Sequence, residues 1–149
     1  MALEKYLAIA GLALSVFFVA EIITLFNFMI NPGDNDSFGF EAAPKIFQFI
    51  SLSIAPATIM MGASFILSKR YGSKFNGMLI ILSGIIVIIG MSYAYTMIDG
   101  MKQELVDNAV EITPLLFIVV SIPIIVIGVR LLKIRPRKPK KDYLDDSNY

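Results

Sequence analysis

Glu21 is the one acidic residue set deep inside a long apolar stretch, the run of 25 residues from Tyr6 to Ile30. Roughly 20 apolar residues suffice to cross a hydrocarbon core of about 30 Å, so this run is expected to span a membrane with Glu21 a few residues past its centre. An ionised carboxylate at that depth costs at least about 2.5 kcal/mol, and the residue therefore needs a partner or a task. Thr24 projects from nearly the same helix face three residues on, and Asn27 lies farther round it. A second apolar run supplies Gln48, Ser51 and Ser53 at a depth these groups could share. Glu21, Thr24, Asn27 and Gln48 are thus the candidate intramembrane polar site. Such a site can be a protonatable, cation-binding carboxyl, or a hydrogen-bonded strut that joins helices or subunits. The spans offer no neighbouring Asp, Lys, Arg or His at that depth to relay a proton, which favours the strut.

Other chemistry is narrowed by what the chain lacks. With no Cys and no His, the usual ligands of zinc, copper, haem and iron–sulfur clusters are missing, and so is the commonest general base. No cofactor, metal site or catalytic residue is expected, and the chain is read as a non-enzyme. The segment Asp34-Asn35-Asp36-Ser37-Phe38-Gly39 begins like a calcium loop but places Phe38 at the fifth position and Lys45 at the twelfth, where carboxylates belong. It reads better as a solvated turn seeded by Pro32-Gly33. Asn35-Asp36-Ser37 is also a glycosylation sequon.

The elements that must hold Glu21 follow from hydropathy and charge. Of 149 residues, 56% are hydrophobic and 17% charged, against about 25% charged in a soluble domain. Four apolar runs are separated by short charged segments: residues 6–30, 46–67, 78–98 and 114–132, the last read as capped by Thr113 with Pro114 in its first turn. The expected architecture is an all-α membrane protein whose four transmembrane helices form an antiparallel up-down-up-down bundle over residues 1–134. Pro56 and Pro123 are expected to kink their helices, and Gly11 with Ser15, Thr58 with Gly62, and Gly90 with Ala94 are candidate close-packing pairs.

Lys5, Lys69, Arg70, Lys74, Arg130, Lys133 and five bases of the tail put 11 of the 13 basic residues on one side. Seven acids and only Lys45 and Lys102 lie on the other. Because Lys and Arg collect in short cytoplasmic loops, the chain is expected in the cell membrane with both termini cytoplasmic. A net charge of +1 makes nucleic acid an unsuitable partner. The tail, residues 135–149, is polybasic through Lys141 and then acidic, and its basic part suits anionic lipid headgroups.

On the outer side, Phe38 and Phe40 alternate with small residues, a pattern suited to the membrane interface or to another protein. The segment from Asp99 to Ile112 spaces Leu105, Ala109 and Ile112 along one side with acids on the other, which predicts a short amphipathic helix, either docked on a neighbouring protein or simply extending the third helix above the membrane. Phe38, Phe40, Leu105 and Ala109 are therefore the candidate partner surface, and other membrane subunits the expected partners.

Two resemblances bear on function. The stretch Ala20-Glu21-Ile22-Ile23-Thr24 in a first span of a small four-span chain resembles the small multidrug resistance transporters. That resemblance implies a Glu21 that exchanges protons for cationic substrates. The chain departs from the family in having no Trp, longer outer loops and the 11-to-2 basic asymmetry. In layout alone, with Ile-rich spans and a Lys-rich tail, it resembles the small accessory subunits of archaeal ammonia monooxygenase, which implies a non-catalytic subunit of a multi-subunit membrane complex. The accessory subunit is the preferred expectation and the proton-coupled or cation transporter the alternative.

Overall fold

Four apolar segments of this length can satisfy their backbone only as helices if they sit in lipid, and helices are what form. The computed structural model describes residues 3–32, 41–70 and 72–134, and among these there is no strand. Helix α1 runs Leu3–Ile30. The second long segment is composite: α2 covers Ala42–Phe49, a π-helical turn covers Ile50–Ile54, and α3 covers Ala55–Ser68. Helix α4, Lys74–Met97, is extended by a 3-10 turn over Ile98–Gly100. A second 3-10 turn, Gln103–Leu105, leads to α5, Asn108–Lys133. Four helical stretches, residues 3–30, 42–68, 74–100 and 108–133, are long and apolar enough to cross a membrane.

Contacts fix how the helices lie. Ser64 meets Glu4, Ala57 and Met61 meet Gly11, and Ser53 meets Glu21, so the second segment descends along α1 as α1 ascends. Ser83 and Gly90 of α4 meet Ser15 and Val19 of α1 in ascending order. Gly77 and Gly84 of α4 meet Gly128 and Ser121 of α5 in descending order. Around Phe18, Ile22, Phe26, Met91, Val110 and Phe117 lies one apolar core, in which the Phe18 and Phe117 rings meet edge to face at 4.8 Å. A smaller core, formed by Ala57, Met61, Ile80, Ile124 and Leu131, fills the other end of the bundle. The outside is apolar too: Ile59, Ile66 and Met78 are each about 70% exposed. Such a surface suits hydrocarbon better than water.

Two expectations need correction. Helix α5 does not start at Thr113-Pro114. Asp107 is its cap, with its carboxylate accepting the Asn108 N–H at 2.8 Å, and Pro114 lies buried within the helix. The loss of one backbone donor at Pro114 interrupts a single bond without ending the helix. The segment from Asp99 to Ile112 is not a separate amphipathic helix. Extended backbone at Met101, Lys102 and Val106 breaks it into two 3-10 turns and the first turn of α5, because Met101 leaves the helical path to bury its side chain in the core. Of the candidate partner surface, Leu105 and Ala109 pack, half-buried, against that core. Phe38 and Phe40, the other half of that surface, lie outside the described residues, as do the Asn35 sequon and the tail from Arg135.

The glycines divide as well. A Cβ on Gly11 would stand 2.7 Å from the Met61 side chain, and one on Gly90 would collide with Val19. Both are close-packing positions, as expected. Gly62 is not: nothing lies within 4 Å of the place its Cβ would take. Thr58 and Gly62 therefore face outward from the bundle.

Candidate functional site around Glu21

In an α-helix within lipid, a serine or threonine ordinarily donates its hydroxyl to the carbonyl four residues back. Ser15, Thr24, Ser51, Thr58 and Ser121 all do so. Ser53 does not. Its hydroxyl donates across to Glu21 Oε2 at 2.6 Å, a short, charge-assisted length if the carboxyl is ionised. The local cause is the π turn, in which the Ala55 N–H reaches the Ile50 carbonyl five residues back. One extra residue in the turn rotates Ser53 inward, where it is fully buried. Pro56 follows in the first turn of α3. It has no N–H to offer and its ring crowds the preceding turn, so a widened turn ahead of it relieves both.

Of the sequence-predicted site, the structure brings only Glu21 to a partner from another helix, and that partner is Ser53. Thr24 is exposed and turned to the Ala20 carbonyl of its own helix. Asn27 and Gln48 are also exposed on the outside of the bundle, and neither approaches Glu21 through a hydrogen bond. Glu21 as a residue is half-buried: one carboxyl oxygen accepts from Ser53, and the other has no hydrogen-bond partner among the described residues. The sequence hinted at Ser53 through its depth, but nothing in it singled Ser53 out from Ser51. The π turn decides between them.

Further polar ties hold the bundle together and were not legible beforehand. Ser83 Oγ donates to Ser15 Oγ at 2.7 Å, and Ser15 passes the bond on to the Gly11 carbonyl at 2.9 Å. Ser64 Oγ donates to the Glu4 carbonyl at 2.8 Å. Asn76 Nδ2 donates to Ser68 Oγ at 2.6 Å where α3 turns into α4, and its Oδ1 is buried without a hydrogen bond among the described residues. These are single bonds between neighbouring helices, and no group of three or more acidic residues able to hold a metal occurs among the described residues.

No known family matches this sequence, and neither a curated protein nor a solved structure matches it.

Proposed function

We propose that this chain is a non-catalytic accessory subunit of an integral membrane complex, held in the cell membrane with both termini in the cytoplasm. One observation carries the reading: Glu21 is fixed to Ser53 by one carboxyl oxygen while the other has no hydrogen-bond partner among the described residues, and Asn27 and Gln48 face outward from the bundle. Polar side chains on the outer surface of a membrane helix are costly against lipid and are satisfied by hydrogen bonds from another protein helix. The polar groups thus diverge toward neighbours instead of converging on a path through the chain. The layout resemblance to accessory subunits of ammonia monooxygenase supplies one class of complex to test. A second reading draws on the same half-buried residue: a small proton-coupled or cation transporter that uses Glu21.

Copurification from native membranes in a mild detergent tests the proposal. A stoichiometric set of other subunits is the expected result, and a self-contained oligomer of this chain alone would overturn it. Replacing Phe38 and Phe40 with Ser should lower the yield of those subunits without changing membrane insertion of the chain. Unchanged stoichiometry in the double variant would remove the two aromatics from the interface.

Orientation rests on the basic asymmetry and is tested separately. The chain contains no cysteine, so single Ser37→Cys, Ser73→Cys and Ser147→Cys variants each report one position. An impermeant thiol reagent applied to intact cells should label Ser37→Cys alone. Labelling of Ser73→Cys would reverse the orientation.

A further inference from the structure

We propose that the basic end of the bundle binds an anionic phospholipid, with one acyl chain in the groove between α3 and α5 and the phosphate among Lys69, Arg70, Lys74, Arg130 and Lys133. The groove exists because the two helices are drawn to different partners. Helix α3 packs on α1 through Ala57, Met61 and Ser64, and α5 packs on α4 through Gly128 and Ser121. The gap left between them is about 90 Å³, lined by Thr58, Met61, Gly62, Ile80, Ile124 and Ile127. Thr58 has turned its hydroxyl to the Ile54 carbonyl, so the lining is apolar. A protein helix with side chains is about 10 Å across and does not fit such a gap. A hydrocarbon chain does.

Depth and charge select the kind of lipid. At a rise of 1.5 Å per residue, Gly62 to Lys69, Ile80 to Lys74 and Ile127 to Lys133 each span about 10 Å. Three helices thus set their bases at one level, about 10 Å above the groove, the separation between a phosphate and the upper methylenes of its own acyl chain. Contacts hold that level together. The backbone at Gly72 lies against the Ile134 carbonyl, with a Cβ there standing only 2.7 Å from its oxygen, and Asn76 ties the start of α4 to Ser68. All five bases are exposed. Glu4, on the far side of α3, is the one acid among the described residues at this end of the bundle.

The chain contains no Trp, so a single one reports locally. Ile66 is 69% exposed and stands one turn from Gly62 toward the bases; Phe17, 56% exposed on α1, is a control surface. The full-length chain carrying Ile66→Trp or Phe17→Trp is reconstituted into phosphatidylcholine vesicles containing phosphatidylglycerol. Quenching is compared with bromine on the acyl chains of one lipid or the other. At Ile66→Trp the expected preference for phosphatidylglycerol is about fivefold, the effect of roughly one headgroup charge, with none at Phe17→Trp. Lys69→Gln with Arg70→Gln should abolish the preference. Gly62→Leu, whose Cβ has no protein atom within 4 Å, should also abolish it by filling the groove. Equal quenching by the two lipids at Ile66→Trp would overturn the proposal, and so would a preference that survives Gly62→Leu.

Discussion

Gly128→Ala is expected to lower the thermal unfolding midpoint of the chain in mild detergent, while Gly62→Ala leaves it unchanged or raises it. Both are glycines in long apolar helices, and the difference lies in what a Cβ would meet. At Gly128 it stands 2.6 Å from the Ile81 side chain and 3.0 Å from both the Gly77 carbonyl oxygen and the Ile81 nitrogen. A side chain can rotate away, but the α4 backbone cannot, so α4 and α5 must separate. Overpacking of this kind costs about 1–3 kcal/mol for a small group. At Gly62 no atom lies within 4 Å, and alanine gains about 0.5–1 kcal/mol over glycine in a helix interior. Gly90→Ala is the intermediate case. Its clash is with the Val19 side chain alone, so Val19→Ala should restore stability to Gly90→Ala, whereas Ile81→Ala should not restore it to Gly128→Ala. Circular dichroism melts of the five variants and the double mutants check this. Equal shifts for Gly128→Ala and Gly62→Ala would refute the packing described.

That comparison shows where sequence reasoning ran out. Hydropathy placed four helices correctly because the signal is long and additive: a predominantly apolar run of 25 residues from Tyr6 to Ile30 tolerates one carboxylate without ambiguity. Small residues spaced four apart identify helices able to approach closely, but not which neighbour takes the place. Thr58 with Gly62 and Gly11 with Ser15 look alike in sequence, yet only the second pair is covered by another helix. The α4–α5 seam through Gly77, Gly84 and Gly128 went unnoticed because its glycines are spaced seven apart on α4, and only Gly77 meets a glycine on α5, Gly84 lying against Ile125 and Ser121. Boundaries failed for a different reason. Thr113-Pro114 carries a strong helix-start pattern, but Asp107 lies nearer the end of the loop and caps the continuous helix first.

The Glu21 site was half legible on the same grounds. A lone carboxyl in an apolar run is conspicuous in any sequence; its partner depends on the rotation of the second helix. An ordinary α-helix through residues 42–68 would turn Ser53 differently, and the π turn over Ile50–Ile54 with Pro56 behind it sets the observed angle. Pro56 was expected to kink the helix. Its consequence is more specific, since it accompanies the turn that aims one hydroxyl at Glu21.

Glu21→Gln is expected to support assembly and stability almost as well as the native residue, and Glu21→Leu to loosen both. The carboxyl accepts the Ser53 hydroxyl at 2.6 Å, and a glutamine carbonyl oxygen can accept the same bond. Leucine cannot, and it leaves the fully buried Ser53 hydroxyl without its acceptor at a cost of about 1–3 kcal/mol. Ser53→Ala removes the donor instead. Combined with Glu21→Leu it should cost less than the two single changes added together, because the second change breaks a bond already lost. Unfolding midpoints of the two single variants and the double variant give that coupling directly, and strict additivity would mean the bond contributes nothing. A transporter predicts another pattern from the same residues. Its carboxyl must gain and lose a proton in each cycle, so glutamine, which cannot ionise, would abolish transport while sparing the fold. Proton-dependent cation flux in liposomes containing this chain alone, lost in Glu21→Gln, would falsify the accessory-subunit proposal. With no such flux, and with Glu21→Gln retaining the other subunits that Glu21→Leu releases, Glu21 acts as the strut between helices and neighbours.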